Sequence, residues 1–304
     1  MKKERKQKKP KSMAYKNAIT GYLFIMPFII GFIAFLIVPM GQSLRMAFSE
    51  IGFDGGITYK FVAFQNFKYA FTVDPTFVPN MTNELIRMAY SVPSIIIFSF
   101  FISLVLNQSF KGRGLVRAIF FLPVILSSGV LVGLETNNTL MQGMKDIIAE
   151  TSNMTSITDT IKSMILSDGG GGSGAIQYVF DAVDRVYEIA IASGIQIIIF
   201  LSGLQTISPS MFEAAKIEGA TAWETFWKIT FPMISSLILV NVVYSIIDFF
   251  VKTDNNVMVQ IKDAMVTKVD YGLSSSMAWT YFAVVAVIIA IVSAVISKKV
   301  YYYE

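Results

Sequence analysis

The chain has 304 residues, of which 54% are apolar and 15% charged, and its 25 Lys and Arg against 21 Asp and Glu give a formal net charge of +4. Soluble domains carry nearer ~25% charged residues, so this balance excludes an ordinary globular protein and indicates a polytopic membrane protein. Cysteine and histidine are both absent, which excludes disulfides, thiol chemistry and the usual zinc sites and removes the commonest general base.

The first element is a basic arm, residues 1–19, with eight Lys and Arg in MKKERKQKKPKSMAYK. Beside an apolar run, such an arm is an orientation signal for a membrane span, not a nucleic-acid contact. The run that follows is too long to be the core of a cleaved leader. A helix crosses the hydrocarbon layer in about 20 residues. Six stretches qualify: roughly Thr20–Met40, Ala89–Leu106, Ala118–Leu134, Ile189–Leu204, Phe231–Val251 and Met277–Ile296. Prolines 27, 39, 93, 123 and 232 fall in them, and neighbouring helices or a cavity must satisfy the carbonyls these free. The expected fold class is therefore an all-α polytopic membrane protein with six transmembrane helices.

Lys and Arg bias sets the direction. With both termini in the cytoplasm, 15 of the 25 basic residues lie inside, and 16 of the 21 acids lie outside or at the outer face. The chain then divides into the arm, 1–19, and a six-span domain, 20–304. External loops fall at about 44–87, 135–188 and 252–276, and a patterned cytoplasmic loop at 208–230. The loop 135–188 holds SDGGGGSG at Ser167–Gly174. It lacks the Lys-Ser/Thr that completes a phosphate-cradling loop and reads as a flexible connector.

The cytoplasmic loop contains EAAKIEGATAWETFWKITFP, Glu213–Pro232. Ser208 is a fit N-cap and Pro209 a fit first helical residue. Gly219 supplies a left-handed C-cap, and Thr221 with Glu224 forms a capping box. Two short helices about a tight turn follow, the first roughly 15 Å long at 1.5 Å per residue and the second running from Ala222 to about Thr230. Helices this short are marginal alone in water, so the unit must dock, either on its own spans or on a cytoplasmic partner.

Gly203, Leu204, Glu213, Ala214, Ala215, Gly219, Ala220, Phe226, Ile229 and Pro232 match the EAA loop of ATP-binding-cassette importer permeases, with Glu218 at the acidic position before the glycine. FVAFQNF at Phe61–Phe67 and FKGRGLVRAIFFLP at Phe110–Pro123 resemble the sugar-permease branch of that family, the maltose and glycerol-phosphate type. Two departures lie outside the membrane: no tryptophan-rich stretch follows span three, and VKTDNNVMVQIKDAM after span five lacks a Gly-Gly-Pro.

The resemblance implies a type I importer permease fold whose loop is a coupling helix inserted into an ATPase subunit. Glu213, Ala214, Ala215, Glu218, Gly219 and Ala220 would make that contact. It also implies a non-catalytic transport subunit in a bacterial cell membrane. Its partners would be a second homologous permease, two cytoplasmic ATPase subunits and an extracytoplasmic solute-binding protein. ATP and Mg2+ would act in those ATPase subunits, and this chain would hold no cofactor or metal.

Span five places Asn241, Tyr244, Ser245 and Asp248 within about 100° of one another on one helix face. Asn241 lies about 14 Å and Asp248 about 24 Å along the helix from Pro232. An ionisable residue at such depth needs water or a partner. This stripe, with Gln196 of span four, is the expected substrate path; interhelical hydrogen bonding is the alternative. Neutral amides, hydroxyls and aromatics suit a carbohydrate, with an oligosaccharide the expected solute. The competing readings are an importer for another polar solute and an ATP-independent secondary carrier, which predicts inverted halves and ion-coupling carboxylates.

Overall fold

The computed structural model describes residues 13–52, 58–127, 173–252 and 254–298. They are almost wholly helical: α1 (Met13–Phe32), α2 (Val38–Ala47), α3 (Gln65–Thr72), α4 (Phe77–Asn107), α5 (Arg113–Ser127), α6 (Ser173–Ala192), α7 (Gly194–Thr206), α8 (Pro209–Ile217), α9 (Ala222–Thr225), α10 (Phe231–Val251), α11 (Asn256–Val266) and α12 (Tyr271–Ser297). One antiparallel hairpin, β1 (Ser49–Gly52) and β2 (Thr58–Phe61), interrupts them. The chain forms two compact units, one from 1–82 with 256–284 and one from 83–255 with 285–304.

Four helical stretches among the described residues are long and apolar enough to cross a membrane, in Thr20–Ala47, Phe77–Asn107, Ala222–Val266 and Tyr271–Ser297, and a bent pair, Arg185–Ala192 with Gly194–Thr206, makes a fifth. These cover expected spans one, two, five, six and four in turn. Expected span three enters as α5; the rest of Ala118–Leu134, like the loop 135–172, lies outside the described residues.

Three departures from the expected helices have physical causes. Span four is bent by 53° at Ser193, where a Ser-Gly pair interrupts the helix. Span one contains a wide π turn, Ile33–Ile37, and span five is entered through another, Phe226–Thr230; in them the amides of Val38 and Phe231 reach back five residues to the carbonyls of Ile33 and Phe226. The next residue in each case is a proline, Pro39 or Pro232. Proline donates no hydrogen bond and its ring crowds the carbonyl four residues back; one wider turn absorbs both effects.

In the first unit, the expected external loop 44–87 is an ordered substructure. The hairpin pairs Ser49 with Phe61 and Glu50 with Lys60, the latter through an ion pair at 3.5 Å. Asn66 Nδ2 donates to the carbonyls of Ala47 at 3.1 Å and Ser49 at 3.0 Å. Gly272 packs so closely that a Cβ there would sit 2.5 Å from the Ser49 carbonyl oxygen. Asp74 Oδ1 accepts from the amides of Thr76 at 2.9 Å and Phe77 at 3.0 Å, capping α4 across Pro75. It also accepts from Gln260 Nε2 at 3.1 Å, which fixes α11 to the same point.

In the second unit, α4, α5, α7 and α10 pack through two apolar clusters. Leu106, Ile197 and Leu201 gather Ile102, Val116, Phe120 and Phe121. Leu204, Ile207 and Ile234 gather Phe100, Leu104, Met211, Phe212, Ile229 and Met233. Lipid tails are as apolar as these side chains, so dispersion and close fit hold the helices together rather than exclusion of water. Gly203 provides that fit: a Cβ there would run into the Leu237 side chain of α10.

Candidate functional site

The loop between α7 and α10 is built entirely from local signals. Ser208 is extended and precedes Pro209, as an N-cap should. Its hydroxyl nevertheless pairs with Ser210 Oγ at 2.7 Å and caps no amide. At the other end, Gly219 takes φ +79°. The amide of Ala220 donates to Ala215 O at 2.9 Å and that of Gly219 to Lys216 O at 3.2 Å. This is a Schellman closure, and it satisfies carbonyls that the helix end would otherwise strand.

The next helix starts on the expected capping box. Thr221 Oγ1 accepts from the Glu224 amide at 3.2 Å, and the Thr221 amide donates to Glu224 Oε2 at 3.0 Å. The second helix does not stop at Thr230. It passes through the π turn directly into α10, so loop and span are one continuous helix from Ala222 to Val251. Pro232 lies inside this lever and is no new start.

The loop has a rooted side and a free side. Ala215 is buried, and Met211 and Phe212 pack against the Leu204–Ile207–Ile234 cluster. Glu213, Ala214, Lys216, Ile217, Glu218 and Gly219 are exposed, and Ile217 keeps 87% of its surface. Trp223 is 70% exposed and begins an aromatic chain. It meets Trp227 at 5.6 Å, Trp227 meets Phe231 at 5.1 Å, and Phe231 meets Phe100 of α4 at 6.4 Å, measured between ring centroids. Between α8 and α9 a groove of about 410 Å³ is lined by Phe212, Lys216, Ala220, Ala222, Thr225 and Phe226, with Thr230 at its end.

The polar stripe on α10 divides. Gln196 and Ser245 are buried and hydrogen-bonded across α7 and α10 at 2.8 Å. With its amide oxygen accepting from Ser245 Oγ, Gln196 turns its nitrogen to the carbonyls of Ala192 at 2.9 Å and Ser193 at 3.3 Å. It thereby satisfies the Ala192 carbonyl at the 53° bend, while the Ser193 carbonyl also accepts from the Ile197 amide at 2.9 Å. Asn241 is fully buried, and neither its Nδ2 nor its Oδ1 meets a hydrogen-bond partner among the described residues. Tyr244 and Asp248 are half-buried. Gln196, Ser245 and Asp248 line one narrow cavity with Ser91 of α4. It encloses about 20 Å³, room for about one water. Asn241 and Tyr244 lie outside its lining.

At the end of this cavity stands Arg87, which the sequence did not mark. Its guanidinium reaches Asp254 Oδ2 at 2.9 Å, Glu188 Oε1 at 3.4 Å and Glu84 Oε2 at 3.7 Å. Two of these partners lie 101 and 167 residues away, so no local pattern announces them. Among the described residues no group of three metal-ligating side chains occurs.

Residues 189–302 match the model of the family described as binding-protein-dependent transport system inner membrane component. The chain is 30% identical over 239 residues to the probable ABC transporter permease protein YesP of Bacillus subtilis, covering 77% of this chain and 71% of the relative. It is 29% identical over 220 residues to the multiple sugar-binding transport system permease protein MsmF of Streptococcus mutans, covering 71% and 69%. A solved bacterial ABC transporter involved in import of the acidic polysaccharide alginate shares the fold, with a TM-score of 0.63 at 19% identity over 94% of this chain and 97% of that one. With these matches and its membrane-spanning helices, the chain belongs to the binding-protein-dependent ABC transporter permeases.

Proposed function

We propose that this chain is one of two permease subunits of an ATP-driven importer for a carbohydrate, with an oligosaccharide as the solute. In this reading it has six spans, both termini are cytoplasmic, and the chain itself catalyses nothing. Two cytoplasmic ATPase subunits hold ATP and Mg2+, and an extracytoplasmic binding protein delivers the solute. The relatives named for sugar transport support the solute class. A solved neighbour in complex with an alginate pentasaccharide-bound periplasmic protein supports the delivery partner.

The observation that carries the reading is the shape of the loop. Glu213, Ala214, Glu218 and Gly219 present one exposed edge of a helix stiffened at its C-terminal end and rooted by Met211 and Phe212. Ala214 leaves room for close approach, and Glu213 offers a carboxylate to a basic residue. Ala215 and Ala220 serve from behind, one buried under the helix and the other closing the turn. Movement imposed on this edge passes through an unbroken helix, Ala222 to Val251, to the polar residues of α10. A flexible connector would dissipate the same displacement.

Along α10, Tyr244 and Asp248 are the part-exposed members of the stripe and are proposed to face the solute path. Gln196 and Ser245 are proposed to hold the wall behind them, and Asn241 is proposed to meet its partner in another state of the cycle. The test is uptake by the reconstituted complex with Glu213→Lys. We expect the ATPase subunits to detach or uptake to fall at least tenfold, the equivalent of about 1.4 kcal/mol of coupling. Full uptake and intact assembly would sink the coupling role.

A further inference from the structure

Arg87 does more than neutralise acids, because of where its partners sit. Glu84 lies one turn away on the same helix, α4, and is buried, so it travels with Arg87 however α4 moves. Glu188 belongs to α6 and Asp254 follows α10, and both are about half exposed. The guanidinium also lies 5.5 Å from the centroid of the Phe249 ring, an apolar seat on α10. Arg87 and Glu188 both line the cavity that contains Gln196, Ser245 and Asp248. Arg87 and Glu188 of this ion-pair network therefore form part of the cavity wall, with Asp254 behind them.

We propose that Arg87 is a latch: while it holds Glu188 and Asp254 the cavity is shut, and its release from these two carboxylates lets α4 part from α6 and α10 and opens the cavity to the outside. The proposal rests on the orientation and transport reading above. Three features fit a reversible closure. Half-exposed ion pairs are individually weak, because water competes for both charges, so each breaks at small cost. Asp254 has a second cation within reach, Lys252 Nζ at 3.9 Å, and exchanges one partner for another when Arg87 leaves. The shut cavity of about 20 Å³ admits no sugar until the helices separate.

The chain has no cysteine, so a single reporter, Ser91→Cys, reads the cavity in the assembled complex. Its labelling by a membrane-impermeant maleimide added outside, without nucleotide, is expected to be slow. Glu188→Gln with Asp254→Asn is expected to speed it about five- to tenfold, the population change that two weak pairs control. Arg87→Gln is expected to do the same. Should that variant fold poorly beside the buried Glu84, the double acid variant still decides, since it leaves Arg87 and Glu84 in place. An unchanged rate in the double variant, or fast labelling with the pairs intact, overturns the latch. Labelling requires no uptake: a failed latch leaves the transport reading standing, and loss of transport function would leave the latch measurable.

Discussion

The loop before α10 and the polar stripe along α10 are joined by one continuous helix from Ala222 yet satisfy their polar groups in opposite ways. The loop is exposed and closed upon itself. Gly219 and Ala220 return their amides to Lys216 and Ala215, and Thr221 and Glu224 cap each other. The stripe is partly buried, with Gln196 and Ser245 paired and Asn241 holding two polar atoms that meet no partner among the described residues. The coupling role proposed for the loop requires it to keep its shape while its surroundings change, which local bonds allow. The path role proposed for the stripe requires it to trade partners, which leaves some of its groups over in any one arrangement.

Asn241 offers the largest test of that contrast. A buried amide without partners carries a desolvation penalty of about 1–3 kcal/mol. Asn241→Leu is therefore expected to raise the melting temperature of the purified chain while lowering uptake. A lower melting temperature would mean that the amide is satisfied in the working complex and that the stripe is as closed as the loop.

The turn at Gly219 comes next. Any side chain at φ +79° costs about 1–2 kcal/mol, so Gly219→Val should loosen the loop and reduce coupling, detected as faster proteolysis between α8 and α9. Because Gly219 is exposed and a Cβ there meets nothing within 4 Å, the cost is local to the turn, and the loss should appear in coupling more than in yield. Equal proteolysis in parent and variant would show that the loop does not depend on its own closure.

A smaller effect is expected from Thr221→Val, which removes one half of the capping box for about 1 kcal/mol. Hydrogen exchange at the Glu224 amide should rise, and unchanged exchange would assign the start of α9 to packing alone. Gln196→Leu strands the Ala192 carbonyl and should cost a similar amount, with the bend at Ser193 as the readout by spin-label distance.

The smallest effect belongs to a control outside both regions. Burial alone would raise the Asp74 carboxyl, but hydrogen bonds from the Thr76 hydroxyl and the Thr76 and Phe77 amides, with the Lys268 ammonium nearby, lower it below its usual value. Its stabilising contribution is therefore complete above the unfolded carboxylate range and is lost as pH falls through the lowered folded value. Asp74→Asn should flatten the acid limb of a melting-temperature profile and leave the loop and the stripe untouched. An unchanged acid limb would show that other carboxylates dominate it.

What could be read from the sequence followed the range of the interactions. Gly219, Thr221 and Glu224 act within five residues, and their geometry was legible in EGATAWE. The faces of α10 were legible as well, because helical spacing alone places Asn241 and Asp248 on one side. Whether those side chains face a path or a neighbouring helix depends on α7, and spacing along α10 carries no information about it. The bend at Ser193 was hidden inside an apolar run. The hairpin Ser49–Phe61 was missed although Asp54-Gly55 stands between its strands, a strong short-range turn signal. Arg87 had no such signal, since its partners meet it only when the helices do.

The π turn at Phe226–Thr230 has a consequence for the helix it interrupts. It holds one residue more than an ordinary turn, and the extra position is taken up within the widened turn, so the helix on either side keeps nearly the azimuth it would have without it. Deleting one residue within Phe226–Thr230 should therefore close the turn to the ordinary pitch and leave every cap and the facing of Glu213 and Glu218 in place. The same deletion in the regular helix beyond it would turn the loop about 100° around the α10 axis.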